Sequence, residues 1–214
     1  MTETPYQRTL TALGDGTARQ ALALLAAFVA GHLTVREAVA AIAATIARAN
    51  GHAVVLADVA LAATLTQQLG KPVPVLGFTA PEGDLTRLST AVDTILTDPR
   101  TILASDTEEG QREFVQNRVE RLARNEPIDA AGRTFSEAVS RSPHVSGYTR
   151  QLEPDACELC QWLYKGGFVY PADQPMHQHP GCRCHPSPVG DAIGTTIPTT
   201  DKAKRPSKQR KRNR

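Results

Sequence analysis

The chain has 214 residues, with 24 Lys and Arg against 22 Asp and Glu and a net charge of +2 at pH 7. That length suits one large or two small domains, and a hydrophobic fraction of 41% supplies a packed core, which excludes a chain disordered throughout. Ala, Leu, Val and Ile dominate while aromatics make up 5%, so the expected fold class is mainly α, with helices packed closely through small side chains.

Taken in chain order, the first predicted helix covers TARQALALLAAFVA, 17–30, and stops near Gly31. Within it, ALALLAAFVA at 21–30 is read as the richest apolar run, half the length needed to cross a bilayer, and no basic segment followed by an apolar run with a cleavage site is found, so no membrane partner is expected. Thr34-Val-Arg-Glu37 matches a capping box, followed by a helix from 35 with Val35, Val39, Ile42 and Ile46 on one face and a stop at Asn50-Gly51. A third helix runs from Val54 to Leu69 and ends at Gly70, before the proline-rich KPVPVLGFTAPEGD. Asp84 is the expected cap of a fourth helix with Leu85, Leu88, Val92 and Ile95 as its seam and Asp98-Pro99 as its end. A fifth spans about 107–124 with Val115, Val119 and Leu122 inward, and another follows Pro127 through IDAAGRTFSEAVSRS despite Gly132, before Ser142-Pro143 opens a loop. The organisation expected is an N-terminal helical region (1–82), a second helical region (83–146), a Cys/His module (147–190) and a disordered basic tail (191–214).

All four cysteines fall in CELCQWLYKGGFVYPADQPMHQHPGCRCH, at Cys157, Cys160, Cys182 and Cys184, with three of the six histidines, His177, His179 and His185. Tyr, the single Trp, Pro and Gly concentrate here, as in a small module whose own core is too small to stand without a cross-link. Cys157-x-x-Cys160 has zinc-knuckle spacing, and His179-x-x-Cys182 repeats it around a Pro180-Gly181 turn, with room between for a short hairpin around GGFVYP. A structural zinc is the expected cofactor. Five candidates, Cys157, Cys160, His179, Cys182 and Cys184, compete for four positions. The turn favours Cys157, Cys160, His179 and Cys182, and an all-cysteine set is the near rival. His177 and His185 are expected to be exposed loop residues.

A thioredoxin-type role for Cys157 lacks the strand-turn-helix unit it needs, and a disulfide leaves the His179-x-x-Cys182 pair unexplained. A catalytic zinc would need an open position and a base, for which only Asp155, Glu158 and Asp173 are near. The chain has no HExxH, GxSxG, Walker A or GxGxxG pattern. The expectation is therefore a protein that is not an enzyme.

The tail divides the charge. Residues 201–214 hold Lys202, Lys204, Arg205, Lys208, Arg210, Lys211, Arg212 and Arg214 against Asp201 alone, which makes the tail +7 and the rest −5. Such a run binds phosphate by counterion release without sequence preference, so non-specific DNA contact, or contact with an acidic protein, is its expected role.

The residues Asp155-Ala-Cys157-Glu-Leu-Cys160, Gly166-Gly-Phe-Val-Tyr170 and His179-Pro-Gly-Cys182-Arg-Cys184 resemble the C-terminal signature of MuF-like minor head proteins of tailed bacteriophages. Arg133-Thr134 stands where that family often carries Arg-Thr on an upstream helix, with Phe135 following in place of an acid, and Gly181 stands where Asn is frequent. The resemblance covers about residues 110–190 and has no counterpart in the alanine-rich first 100, a region in keeping with an actinobacterial phage lineage. It implies a minor capsid protein of the virion, at the portal vertex or head interior, that acts in head morphogenesis and passes through the host cytoplasm during assembly. Its partners would be the portal, major capsid or scaffold protein, with effects on genome packaging or ejection. The alternative is a DNA-binding zinc protein that uses the basic tail.

Overall fold

A computed structural model describes residues 2–98 and 107–190. The order is α1 (Pro5–Val29), α2 (Val35–Leu69), α3 (Asp84–Thr97), α4 (Glu108–Arg141), β1 (Val145–Gln151), α5 (Glu158–Tyr164), β2 (Tyr170–Pro171) and β3 (His185–Gly190). The mainly α class stands, and among the described residues the strands lie in the C-terminal part. The calls on the basic residues of 202–214 fall outside the described residues.

Helix α1 starts twelve residues earlier than expected, because Thr4 and Gln7 form a reciprocal capping box with Pro5 in the first turn. Helix α2 starts at the expected Thr34–Glu37 box and ends at Gly70, whose φ of 64° closes the helix. It does not stop at Asn50-Gly51. Asn50 is buried and its amide donates to the Asp84 carboxylate at 2.9 Å, so the side chain serves a tertiary contact rather than ending the helix. By length and composition α2 passes as a membrane span. In this fold it is the central helix, packed against α1, α3 and α4.

Two other expectations are corrected. Asp84 does not cap α3: Gly83 is the cap residue, with no side-chain bond, and the buried Asp84 carboxylate instead binds Asn50 and Arg87. Nor does Pro127 break the chain into two helices. Helix α4 runs through it, with Pro127 itself buried, because packing against α1 and α2 on both sides of the proline outweighs one missing backbone hydrogen bond.

The helices enclose two cores. One joins Ala18, Ala21, Leu25, Ile42, Ile46, Leu88, Val92, Ile95, Val119 and Ala123. Val35 and Leu85, expected on the inward faces, lie exposed at the helix starts. The other joins Leu10, Val54, Leu61, Leu65, Ile128, Phe135 and Val139 to Val145, Tyr148, Tyr170 and Met176 of the C-terminal part.

The sheet has the order β2-β1-β3, antiparallel throughout. Its central strand is 145–151, read from sequence as a loop, and the GGFVYP segment reaches it through Tyr148 opposite Tyr170. Strand β3 is fastened on its other side by the α2 side chain of Gln68, which donates to the Pro188 carbonyl and accepts from Gly190, both at 2.9 Å. These attachments set the cysteine segment down on α4 and the start of α1.

Candidate metal centre

Cys157 is the cap residue of α5, and the helix that follows lifts Cys160 onto the same side one turn later. The second pair comes from a turn in which Cys182 donates to the His179 carbonyl at 3.1 Å. Gly181 makes that turn at φ +74°, in the left-handed region that Gly and Asn share. An added Cβ there would lie 2.7 Å from Asn125, and the Gly181 amide donates to Asp129 at 2.9 Å. Two residues one turn apart on α4 thus grip the Pro180-Gly181 corner. Burial is the largest influence on Asp129 and raises its carboxyl above the ordinary range against the lowering effect of the Gly181 bond.

All five expected ligands are brought together. The sulfur of Cys157 lies 3.3 Å from His179 Nε2, that of Cys160 lies 3.7 Å from the same nitrogen, and Cys160 and Cys182 sulfurs are 3.6 Å apart. Donors about 2.3 Å (sulfur) and 2.0 Å (nitrogen) from one tetrahedral ion stand about 3.8 Å apart for two sulfurs and about 3.5 Å for sulfur and nitrogen. The three distances fit that set. Two triads share Cys160, one with Cys157 and His179, the other with Cys182 and Cys184, each with donor atoms within 4.8 Å of one another. None of the cysteines forms a disulfide. Donor chemistry and spacing are those of a soft-ligand metal site, and zinc suits them.

The electrostatics differ between the buried and the exposed sulfurs. Burial, with the neighbouring Cys184, pushes the Cys160 thiol up to about 12. Cys184 is also raised, first by its bond with Cys182 and then by burial. Cys157, at the exposed edge, is lowered, first by the Cys160 backbone amide that faces it without completing a capping bond and then by His179. Partial burial works against the His179 proton, but the Pro180 carbonyl and the Cys157 sulfur hold its pKa above the ordinary imidazole value. An ion that takes thiolates must therefore displace protons from buried sulfur.

Neighbouring side chains complete the setting. Arg150 is 3% exposed and donates through Nη1 to Cys160 Sγ at 3.4 Å and through Nη2 to the His177 carbonyl. Glu153 accepts from Arg183 Nε at 2.7 Å and lies 3.8 Å from Cys184 Sγ. Arg183 also reaches Asp155 and, on α1, Thr11, each at 2.9 Å. Gln178 donates to the Cys184 carbonyl and lies against Gly132, where a Cβ would stand 2.3 Å from it.

His177 is exposed as expected. His185 is not: it sits in β3 at 8% exposure, 4.8 Å from the Tyr6 ring and 5.5 Å from Phe135, and burial lowers its pKa to about 4. It is a neutral core residue, separated from the cluster because successive strand residues face opposite ways. Of the carboxylates weighed as bases, Asp155 is tied to Arg183, and Glu158 and Asp173 are exposed. Sequence reading missed Arg150, Glu153 and Gln178. For Arg183, its place between Cys182 and Cys184 was the available signal. A cleft of about 400 Å³ between α1, α4 and the module has Cys157 and His179 among its lining residues.

A family model described as VG15 protein matches residues 6–205. No curated protein matches the chain, and no solved structure matches it.

Proposed function

The chain belongs to the VG15 protein family, a phage-associated family of viral gene products, and on that premise we propose that it is a structural minor head protein, MuF-like in its C-terminal module, acting at the portal or inner capsid. The observation that carries the reading is the supply of donors: two triads that share Cys160 bring together five side chains, one more than a tetrahedral ion needs. A site so supplied closes on its ion and keeps no place for water, as a structural staple does. The carboxylates weighed as bases are either paired or at the surface. A stapled module seated on a long helical body is suited to docking, and the signature spanning 155–184 supports a place in head assembly.

Purified virions test this directly. The protein should be found in mature heads by mass spectrometry and should co-purify with the portal protein. Substitution of Cys157 or Cys160 by Ser should abolish that association, and truncation after Thr200 should leave it largely intact while reducing DNA retention. Absence from both proheads and mature heads would end the proposal. Hydrolysis of peptides or phosphodiesters should stay at background, and cleavage abolished by changing Glu158 or Asp173 would replace it with an enzymatic reading.

The second reading, a DNA-binding zinc protein, has one observation in its favour, the +7 charge of residues 201–214. Filter binding with and without residues 201–214 separates the two. Steeply salt-dependent retention by the body alone would favour the DNA-binding class.

A further inference from the structure

Arg150 poses a problem that the protein chain by itself does not solve. Its guanidinium is buried at 3% exposure in the central strand, yet among the described residues no carboxylate lies within ion-pair distance of it. Its donors go to a sulfur and a backbone carbonyl, and Nε has no partner. A buried charge without a counter-charge is costly, and an Arg side chain cannot shed its charge as a Lys or carboxyl can. Glu153, the buried acid of the module, is engaged by Arg183. What remains beside Arg150 is Cys160, the sulfur common to both triads.

We propose that Arg150 is the built-in counter-charge of the metal centre, and that it selects the ligand set Cys157, Cys160, Cys182 and His179 around one divalent ion, with Cys184 left outside. This rests on the zinc reading above but not on the role in the phage head. The charges decide the set. Three thiolates and a neutral imidazole around a divalent ion carry −1, which one guanidinium cancels. Four thiolates carry −2 and leave one charge uncancelled in a buried site. The position of Cys184 agrees: its sulfur belongs only to the triad with Cys160 and Cys182, apart from Cys157 and His179, and its other side meets Glu153 at 3.8 Å. Cys184 then fills space and bonds to Glu153 behind the centre. Arg150 does for the cluster what outer hydrogen-bond donors do for other metal sites, orienting a ligand and balancing its charge.

The test uses the full-length protein, stripped of metal and titrated with zinc against a chromophoric chelator, then with cobalt(II) for its visible spectrum. Arg150→Met should weaken zinc binding about 10- to 100-fold, in the range for outer-shell partners. Arg150→Lys, which keeps a cation but not the fork that reaches both Cys160 and the His177 carbonyl, should bind zinc more tightly than the Met variant while staying below the parent. Cys184→Ser should bind one zinc with nearly parental affinity and give an unchanged cobalt spectrum. His179→Ala should lose about 100-fold or more and alter that spectrum. Parental affinity in Arg150→Met, or a Lys variant as weak as the Met variant, overturns the counter-charge role. Loss of the ion in Cys184→Ser with retention in His179→Ala establishes the all-cysteine set and overturns the selection. A parent protein that takes up no ion removes the premise itself, a failure distinct from both.

Discussion

The helical body and the C-terminal module reach stability by opposite means. The body buries two clusters of aliphatic side chains, joined by α2 and α4, which are long enough to pass through both. The module's own cluster has five buried residues, Leu152, Ala156, Cys160, Cys182 and Cys184. Three of the five are cysteines, so the module has too little apolar area to hold a fold and must draw on a cross-link. One region is stabilised by area, which is additive and tolerant. The other, with a metal bound, would depend on a few bonds to a single point, which is all or nothing.

The strongest way to break this comparison is to remove the ion. Chelation, or Cys160→Ser, should unfold residues 152–184 as a unit, since structural zinc supplies about 10–16 kcal/mol in small modules. Far-UV dichroism should change little, and amide exchange should rise within the module. Concerted loss of the helices would show that the two regions are one cooperative unit. Phe135→Ala asks the reverse question. Phe135 is 2% exposed in the larger core, and its truncation should cost about 3–5 kcal/mol in denaturant unfolding while zinc content in the folded protein holds at the parental level.

A third test finds a few-bond device inside the body. The buried Asp58 carboxylate accepts the amides of Leu76, Gly77 and Phe78 at 2.7–3.1 Å and pins the proline-rich connection to α2. Asp58→Ala should cost about 2–3 kcal/mol and speed exchange of those three amides before any others. The smallest effect belongs to Tyr148→Phe, which removes a 3.0 Å bond to the Gln174 carbonyl and should cost about 1 kcal/mol at pH 7. Burial, partly offset by Arg150, raises the Tyr148 hydroxyl to about 12. An acid raised on folding contributes stability that is complete below its unfolded value near 10 and is lost as pH rises toward 12. Urea midpoints of the parent should therefore fall more steeply than those of the Phe variant over that interval, and parallel slopes would show that Tyr148 does not titrate with folding.

Much of this was legible in the sequence because it depended on local chemistry. Thr34–Glu37, Gly70 and the two ligand pairs are short-range signals whose partners stand within a few residues. The errors arose where distant partners decide. Asn50-Gly51 and Pro127 read as stops because their local preferences are real, and tertiary packing overrode both. Residues 145–151 gave no strand signal, since Ser146, Gly147 and Arg150 spoil the alternation, and Gly147 and Arg150 have reasons that lie elsewhere in the fold. A Cβ at Gly147 would stand 2.6 Å from the Tyr170 carbonyl, and Arg150 answers to a sulfur ten residues ahead. The Thr4–Gln7 box was visible but was obscured by Gly14 and Gly16 in the same helix.

The contact between the start of α1 and the Cys182–Cys184 box also bears on synthesis. Gln7 is fully buried and donates to the Arg183 carbonyl, 176 residues further on, while Thr11 and Glu3 wait for the Arg183 side chain. The first turn of α1 is thus made long before the residues it packs against. Contacts of such long sequence separation slow folding and leave early surfaces uncovered. A metal ion that organised the module once residue 182 had emerged would also set the moment at which α1 and the Cys182–Cys184 box close on each other.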